Sequence, residues 1–243
     1  MKYLACAGIF LASIIVQCTP PAAAEELSWL DSTESAYAAA SRDYESAALM
    51  DAAEAINKRP LIDRQSPRTL LLLGLMYWRM ELIAYCSNDK ARISHYGGLA
   101  LSTLDEAEKN GADPYMAAGH RALACQLIAG QGIVKGAKYG PRAAAELKKA
   151  RKANPQGYYS LLVEAINTSQ APSFAGGDPA KAALLLEKME KEFPDSIDVK
   201  IHLSRAYRKA KRLADARAEI QPIIKAHPKN LLARMVWDET MQK

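Results

Sequence analysis

The chain has 243 residues, 32 Lys and Arg against 27 Asp and Glu, and a formal net charge of +5. That length can bury a substantial core, and its cations are spread along the chain rather than gathered, which argues against a nucleic-acid partner. Three Phe and three Trp are also too few to build a base-stacking platform.

Lys2 precedes an apolar run from Tyr3 to Val16, the length of a signal-peptide core and too short for a membrane span. Ala22-Ala23-Ala24 supplies an A-x-A cleavage site before Glu25. Residues 1–24 therefore read as a signal peptide, and residues 25–242 as an exported, periplasmic helical domain. Cys18 also ends an apolar run, as a lipid-anchored cysteine does, but Gln17 stands where that signal takes a small residue. Cleavage would remove Cys6 and Cys18. Cys86 and Cys125 remain, either as a disulfide or as two free thiols. No later segment reads as a membrane span.

Residues 25–32 read as a lead-in, with Asp31 or Ser32 as a helix cap. Residues 36–57 are Ala-rich and helical, with a break near Ser41 to Asp43. Pro60 and Pro67 bracket a linker. Residues 69–85 form a helix carrying Leu73-Gly74-x-x-Tyr77, and residues 91–109 its partner, stopped by Gly111. Pro114 opens the helix 115–129. Residues 130–140 hold four glycines and read as a flexible loop before a helix over 141–153. Residues 156–168 are helical. A loop then runs to Asp178-Pro179, a ready N-cap and first-turn pair. Helices follow over 180–192, 195–210, 213–226 and 230–241, with Trp237 on an inner face. No segment shows strand alternation.

The most informative pattern is a repeated signature of Ala, a large apolar residue four on, a small or apolar residue three further, then Pro five further. It reads Ala143, Leu147, Ala150, Pro155; then Ala182, Leu186, Met189, Pro194; then Ala216, Ile220, Ile223, Pro228. A weaker copy is Ala48, Ala52, Ala55, Pro60, and Ala100, Leu104, Ala107 lacks the proline. The leading alanines are separated by 52, 43, 39 and 34 residues. A recurrence at this period marks an array of helical hairpins.

Leu203, Ser204, Tyr207, Ala216, Ile220, Ile223 and Pro228 stand at the packing positions of tetratricopeptide repeats, and the chain resembles that superfamily over most of residues 43–242. The resemblance implies an all-α solenoid of four to five hairpins. The excess over a 34-residue repeat falls near residues 78–90, 126–140 and 168–178, which reads as lengthened turns between the two helices of each repeat. The stretch Asn167…Pro172-x-Phe174-x-Gly176-Gly177-Asp178 is similar to an inserted loop of periplasmic T components of TRAP transporters. That likeness implies a hydrophobic cavity closed by the repeats.

Chemistry-bearing motifs are weak. His95, His120, His202 and His227 lack metal-ligand spacing, and there is no G-x-S-x-G. The glycines at 130–140 do not form a P-loop. The basic residues at 148–152 and 205–212 read as solvated faces or as a basic strip for an acidic partner. Tyr158 and Tyr159 are adjacent on a helix, so both cannot be fully buried on one narrow face. No catalytic residue, cofactor or metal is expected. The partner is an envelope protein, in a scaffold reading, or a hydrophobic small ligand, in a cavity reading. Candidate binding residues lie along the inserted edge: Tyr85, Asn88, Tyr96, Lys135, Tyr139, Asn167, Phe174 and Asp178.

Overall fold

A computed structural model describes residues 21–173 and 176–242. The apolar segment, Cys6, Cys18 and Phe174 lie outside the described residues. All regular elements among those described are helices. In chain order they are α1 (Pro21–Asp43), α2 (Ser46–Asn57), α3 (Leu61–Arg64), α4 (Pro67–Cys86), α5 (Lys90–Lys109), α6 (Pro114–Ala129), α7 (Ile133–Ala153), α8 (Tyr158–Gln170), α9 (Pro179–Glu192), α10 (Ile197–Lys209), α11 (Leu213–Ala226) and α12 (Leu231–Met241). Helices pair as successive hairpins α1–α2, α4–α5, α6–α7, α8–α9 and α10–α11, with α12 packed on the last.

The repeated signature is the inner seam of the second helix in each pair. Ala100, Leu104 and Ala107 are fully buried, as are Ala182, Leu186 and Met189, and Ala216 and Ile220. The first helices present small residues at their close contacts, to that seam or to the first helix of the next hairpin. A Cβ on Gly74 would lie 2.7 Å from Leu104 Cγ, and one on Gly119 would lie 2.6 Å from Tyr159 Cβ in the next hairpin. Ser204 plays the same part and donates from Oγ to the Ala216 carbonyl at 2.8 Å. In the first copy the register is one residue later than the sequence suggests: Leu49, Ala53 and Ile56 are the buried set, while Ala55 is exposed.

Helix ends are chemically explicit. The side chains of Ser66, Asp113, Asp178, Ser196 and Asn230 accept backbone N–H groups at the starts of α4, α6, α9, α10 and α12. Pro67, Pro114 and Pro179 follow three of these caps. Four helices end on a left-handed residue: Tyr44, Asn88, Gly111 and Lys211, with φ of 58, 53, 97 and 64°. Each is followed by an N–H that reaches back to a carbonyl of the last turn, as from Ala112 to Ala107 at 2.9 Å and Arg212 to Tyr207 at 2.8 Å.

Three sequence expectations change. Asp31 and Ser32 do not cap a helix, because α1 runs through them. The glycine-rich stretch is helical from Ile133 onward, with Pro141 inside α7, so only residues 130–132 form the turn. The extra length of the second and third repeats lies near residues 78–90 and 126–140, but it is taken up as helix. Once the flanking turns are closed by Asn88 and by Gly132 (φ 142°), nothing stops the backbone from continuing its intrahelical bonds. Only the connection between Gln170 and Pro179 stays long. The helix α4 has the length and composition of a membrane span, yet 67% of that window is buried within the hairpin stack, as befits a core helix.

The close approach at Gly74 gives a paired expectation. Gly74→Val should lower the unfolding free energy by about 1–3 kcal/mol through overpacking against Leu104. Gly98→Ala on α5, where a Cβ meets nothing within 4 Å, should raise it by about 0.5–1 kcal/mol. Urea titration of both variants checks this, and equal effects of one sign would contradict the packing.

Candidate functional site

The first helices of the hairpins line the inside of the array, and that inner wall is polar where it is deepest. Arg79 on α4 is 8% exposed. It donates to the Tyr44 hydroxyl at 3.2 Å and to Asp198 Oδ2 on α10 at 3.3 Å. Its guanidinium also lies over the Trp78 ring, 4.6 Å from the centroid. Burial disfavours charge on both partners, but Arg79 holds the Asp198 carboxyl below the usual carboxylate range. Next to this pair runs an aromatic file. Trp78 and His120 stand 5.1 Å apart, His120 and Tyr159 4.3 Å, and Tyr158 and Phe193 5.2 Å. The two adjacent tyrosines diverge as the helix requires, one toward Phe193 and the other toward His120, and both stay half-buried.

A second cross-array contact lies further along. Arg205 on α10 donates to the Tyr85 hydroxyl of α4 at 2.7 Å and pairs with Glu239 of α12 at 3.3 Å. Lys229 pairs with Glu45 at 2.9 Å, and Asn230 Nδ2 donates to the Arg42 carbonyl at 3.1 Å. Since α12 also packs on α4, the last hairpin meets the first ones and the array closes on itself.

Closure leaves a cleft of about 860 Å³. Trp78, Leu82, Leu123, Leu127, Ile166 and Leu232 supply its apolar wall. Gln126, Arg151, Glu164, Asn167, His202 and Arg205 supply its polar groups, and Gly136, Gly140, Pro172 and Gly176 stand at its border. Gln126 Nε2 donates to Asn167 Oδ1 at 2.7 Å, fixing both amides on the wall. Burial pushes both His120 and His202 down to about 4, so each is neutral at pH 7.

Of the sequence-nominated residues, the structure brings Tyr85 and Asn167 into the cleft. Asn88 is the left-handed stop after α4. Tyr96 packs on the cluster built around Leu49 and Ile56, its hydroxyl 3.8 Å from Met50 Sδ. Lys135 donates to Ser94 and Gln131, tying the start of α7 to α5. Tyr139 packs on the main core cluster under Lys138, beside the cleft border but not on it. Asp178 caps α9, its Oδ1 accepting from Lys181 N at 3.0 Å. Phe174 lies outside the described residues.

The residues missed are Gln126, Glu164, His202 and Arg205. Arg205 is 9% exposed, so the basic run at 205–212 is not wholly a solvated face. A signal existed: Asp198, His202 and Arg205 recur at i, i+4 and i+7 on a helix whose neighbouring face is apolar. Cys86 and Cys125 are free thiols, and burial pushes both up to about 12, away from nucleophilic use. Among the described residues no group of three or more His, Cys, Asp and Glu could hold a metal ion.

A family model described as tetratricopeptide repeat matches residues 173–236, the segment that holds α9 to α11 and part of α12. A solved thermophilic TPR protein of Thermus thermophilus superposes with a TM-score of 0.59 at 17% identity, covering 89% of this chain and 98% of that one. The fold is that of a tetratricopeptide-repeat protein. A search of curated proteins finds no match. Tetratricopeptide folds stack hairpins to build binding surfaces for other proteins, and the array here has the same hairpin order with its inner surface closed over.

Two expectations follow from the inner wall. Asp198→Leu leaves Arg79 buried without its carboxylate and should cost about 2–4 kcal/mol, whereas adding Arg79→Met should recover much of that loss. Urea midpoints of the two single variants and the double variant test the coupling. Neutral His120 stabilises the fold fully above its ordinary value of 6.5. That contribution is lost as pH falls from 6.5 toward 4, because the unfolded chain takes up the proton first. The urea midpoint should fall across that window, and less steeply in His120→Phe, which keeps the packing against Trp78 and Tyr159.

Proposed function

We propose that this chain is a non-enzymatic binding protein of the cell envelope that takes a small, largely apolar ligand into the cleft between α4, α6, α7, α8 and α10. The observation that carries the reading is the closure of the array. Open hairpin arrays offer the inner face of their first helices to a protein segment. Here Arg79–Asp198, Arg205–Tyr85 and the packing of α12 on α4 occupy that route. What is left is a recess with aliphatic walls and a few fixed polar groups, the usual character of a small-molecule site. The apolar body of a ligand would lie against Leu82, Leu123, Leu127 and Ile166, with a polar group toward Gln126, Asn167 and His202.

Export rests on the apolar run before the A-x-A site, and the likeness of the Asn167–Asp178 stretch to the T components of TRAP transporters supports a transport-linked role. Inert thiols, and the lack of a nucleophile–base pair on the cleft wall among the described residues, support a binding rather than a catalytic role. A protein-interaction scaffold is the second reading, favoured by the tetratricopeptide match over residues 173–236. Its partner would use the outer surface.

Native mass spectrometry of the protein, purified gently from its own cells, separates the two. A small-molecule adduct supports the cleft reading, and a protein-sized adduct without one supports the scaffold. Ala144 is exposed and lines the cleft, so Ala144→Trp fills it without entering the core. This variant should lose the small adduct while its thermal midpoint stays within a few degrees of wild type. Retention of the adduct would place the ligand elsewhere.

A further inference from the structure

We infer that the outward face of α7 is a docking surface for an anionic lipid bilayer. This inference is independent of what the cleft holds. The helix carries Lys135, Lys138, Arg142, Lys148, Lys149, Arg151 and Lys152 against one acidic residue, Glu146. Glu146 is 5% exposed and turned inward, where it accepts from Arg121 at 2.9 Å. Four of the cations are engaged: Lys135 with Ser94 and Gln131, Arg142 with Asp105, Lys149 with Glu146, and Arg151 with Glu164. Lys138, Lys148 and Lys152 are exposed and have no ion pair among the described residues.

Helical geometry gathers these three. At 100° per residue, Val134, Lys138, Pro141, Ala145, Lys148 and Lys152 fall within an arc of about 80°. The buried residues Ala143, Glu146 and Ala150 fall on the opposite side. The stripe is about 27 Å long at 1.5 Å per residue. Ile133 and Val134 stand at its start, 93% and 84% exposed.

Such a face is cationic, free of carboxylates and flat, because the residues between its lysines are Ala and Pro. A folded acidic partner would need ridges or pockets to interlock with, and this stripe supplies none. A bilayer needs no matching shape. It offers anionic headgroups to a row of lysines and an acyl boundary to the projecting Val134 side chain. Because α7 also contributes Gly136, Gly140 and Ala144 to the cleft, docking would set the cleft border beside the membrane.

The test is lysine acetylation of the full chain, read by mass spectrometry, with vesicles of phosphatidylglycerol or of phosphatidylcholine. A local readout is needed because the apolar N-terminal run can bind vesicles by itself. Phosphatidylglycerol vesicles should slow acetylation of Lys138, Lys148 and Lys152 at least fivefold. Phosphatidylcholine vesicles should not, and about 0.5 M salt should abolish the effect. Lys58, whose side chain is 77% exposed just past the end of α2, should be unaffected. In co-sedimentation, Lys138→Glu/Lys148→Glu/Lys152→Glu should lose the phosphatidylglycerol-dependent part of binding at least tenfold, and Val134→Asp should weaken it. Uniform protection of all lysines, or none at these three, would overturn the inference. So would protection by polyglutamate with none by vesicles, which would give the face to an acidic protein.

Discussion

Arg79 sits where the array has to close. A guanidinium that is almost fully buried cannot shed its charge, so its terminal amines need acceptors, while Nε has none among the described residues. It draws on Tyr44 from the first hairpin's turn and Asp198 from the last hairpin. That demand fixes the distance between elements far apart in sequence. It also explains the left-handed backbone at Tyr44, a conformation that costs a non-glycine residue about 1 kcal/mol. The hydroxyl on Arg79 and the burial of the ring offset that strain. The aromatic file and the cleft both lie in the space this closure defines.

The hairpin order was legible in the sequence because the forces that build it are local. Close helix contact needs a small residue, so Gly74, Gly119 and Ser204 mark it. A helix start needs an acceptor, so Asp113-Pro114 and Asp178-Pro179 declare theirs. Stops were legible where the left-handed residue is Gly111. They were illegible at Tyr44, where burial and the bond to Arg79 override backbone preference, and at Lys211, an exposed residue that takes the left-handed conformation without a glycine to announce it. The run of glycines before Pro141 misled because a helix with packing on one side tolerates several glycines, and the proline only frees one carbonyl to a neighbouring turn.

The site was far less legible. Its members come from helices more than a hundred residues apart, and no spacing rule joins Tyr85 to Arg205 or Arg79 to Asp198. Adjacency along the lengthened edge was the available guide, and it gathered turn-formers and caps along with Tyr85 and Asn167. Polar residues recurring on an otherwise apolar helix face, as on α10, were the better sign. Their burial has a chemical reason to exist even before any ligand is considered. Glu81 shows the limit of that sign: it is wholly buried against Gly97 and its carboxyl oxygens lack partners among the described residues, so burial drives it toward the neutral acid. It touches the core rather than the cleft.

The meeting of α12 with α4 changes the kind of object this repeat protein is. A linear array has two ends that fray, and each added hairpin contributes a nearest-neighbour increment. Here the terminal elements also meet each other, so losing either end exposes a second interface where a linear array would expose one. Unfolding from the C-terminal end then also breaks the contacts of α12 with α4 and the bonds of α10 to Arg79 and Tyr85, not only those to the preceding hairpin. A chain organised this way depends on its final residues for the integrity of its first ones.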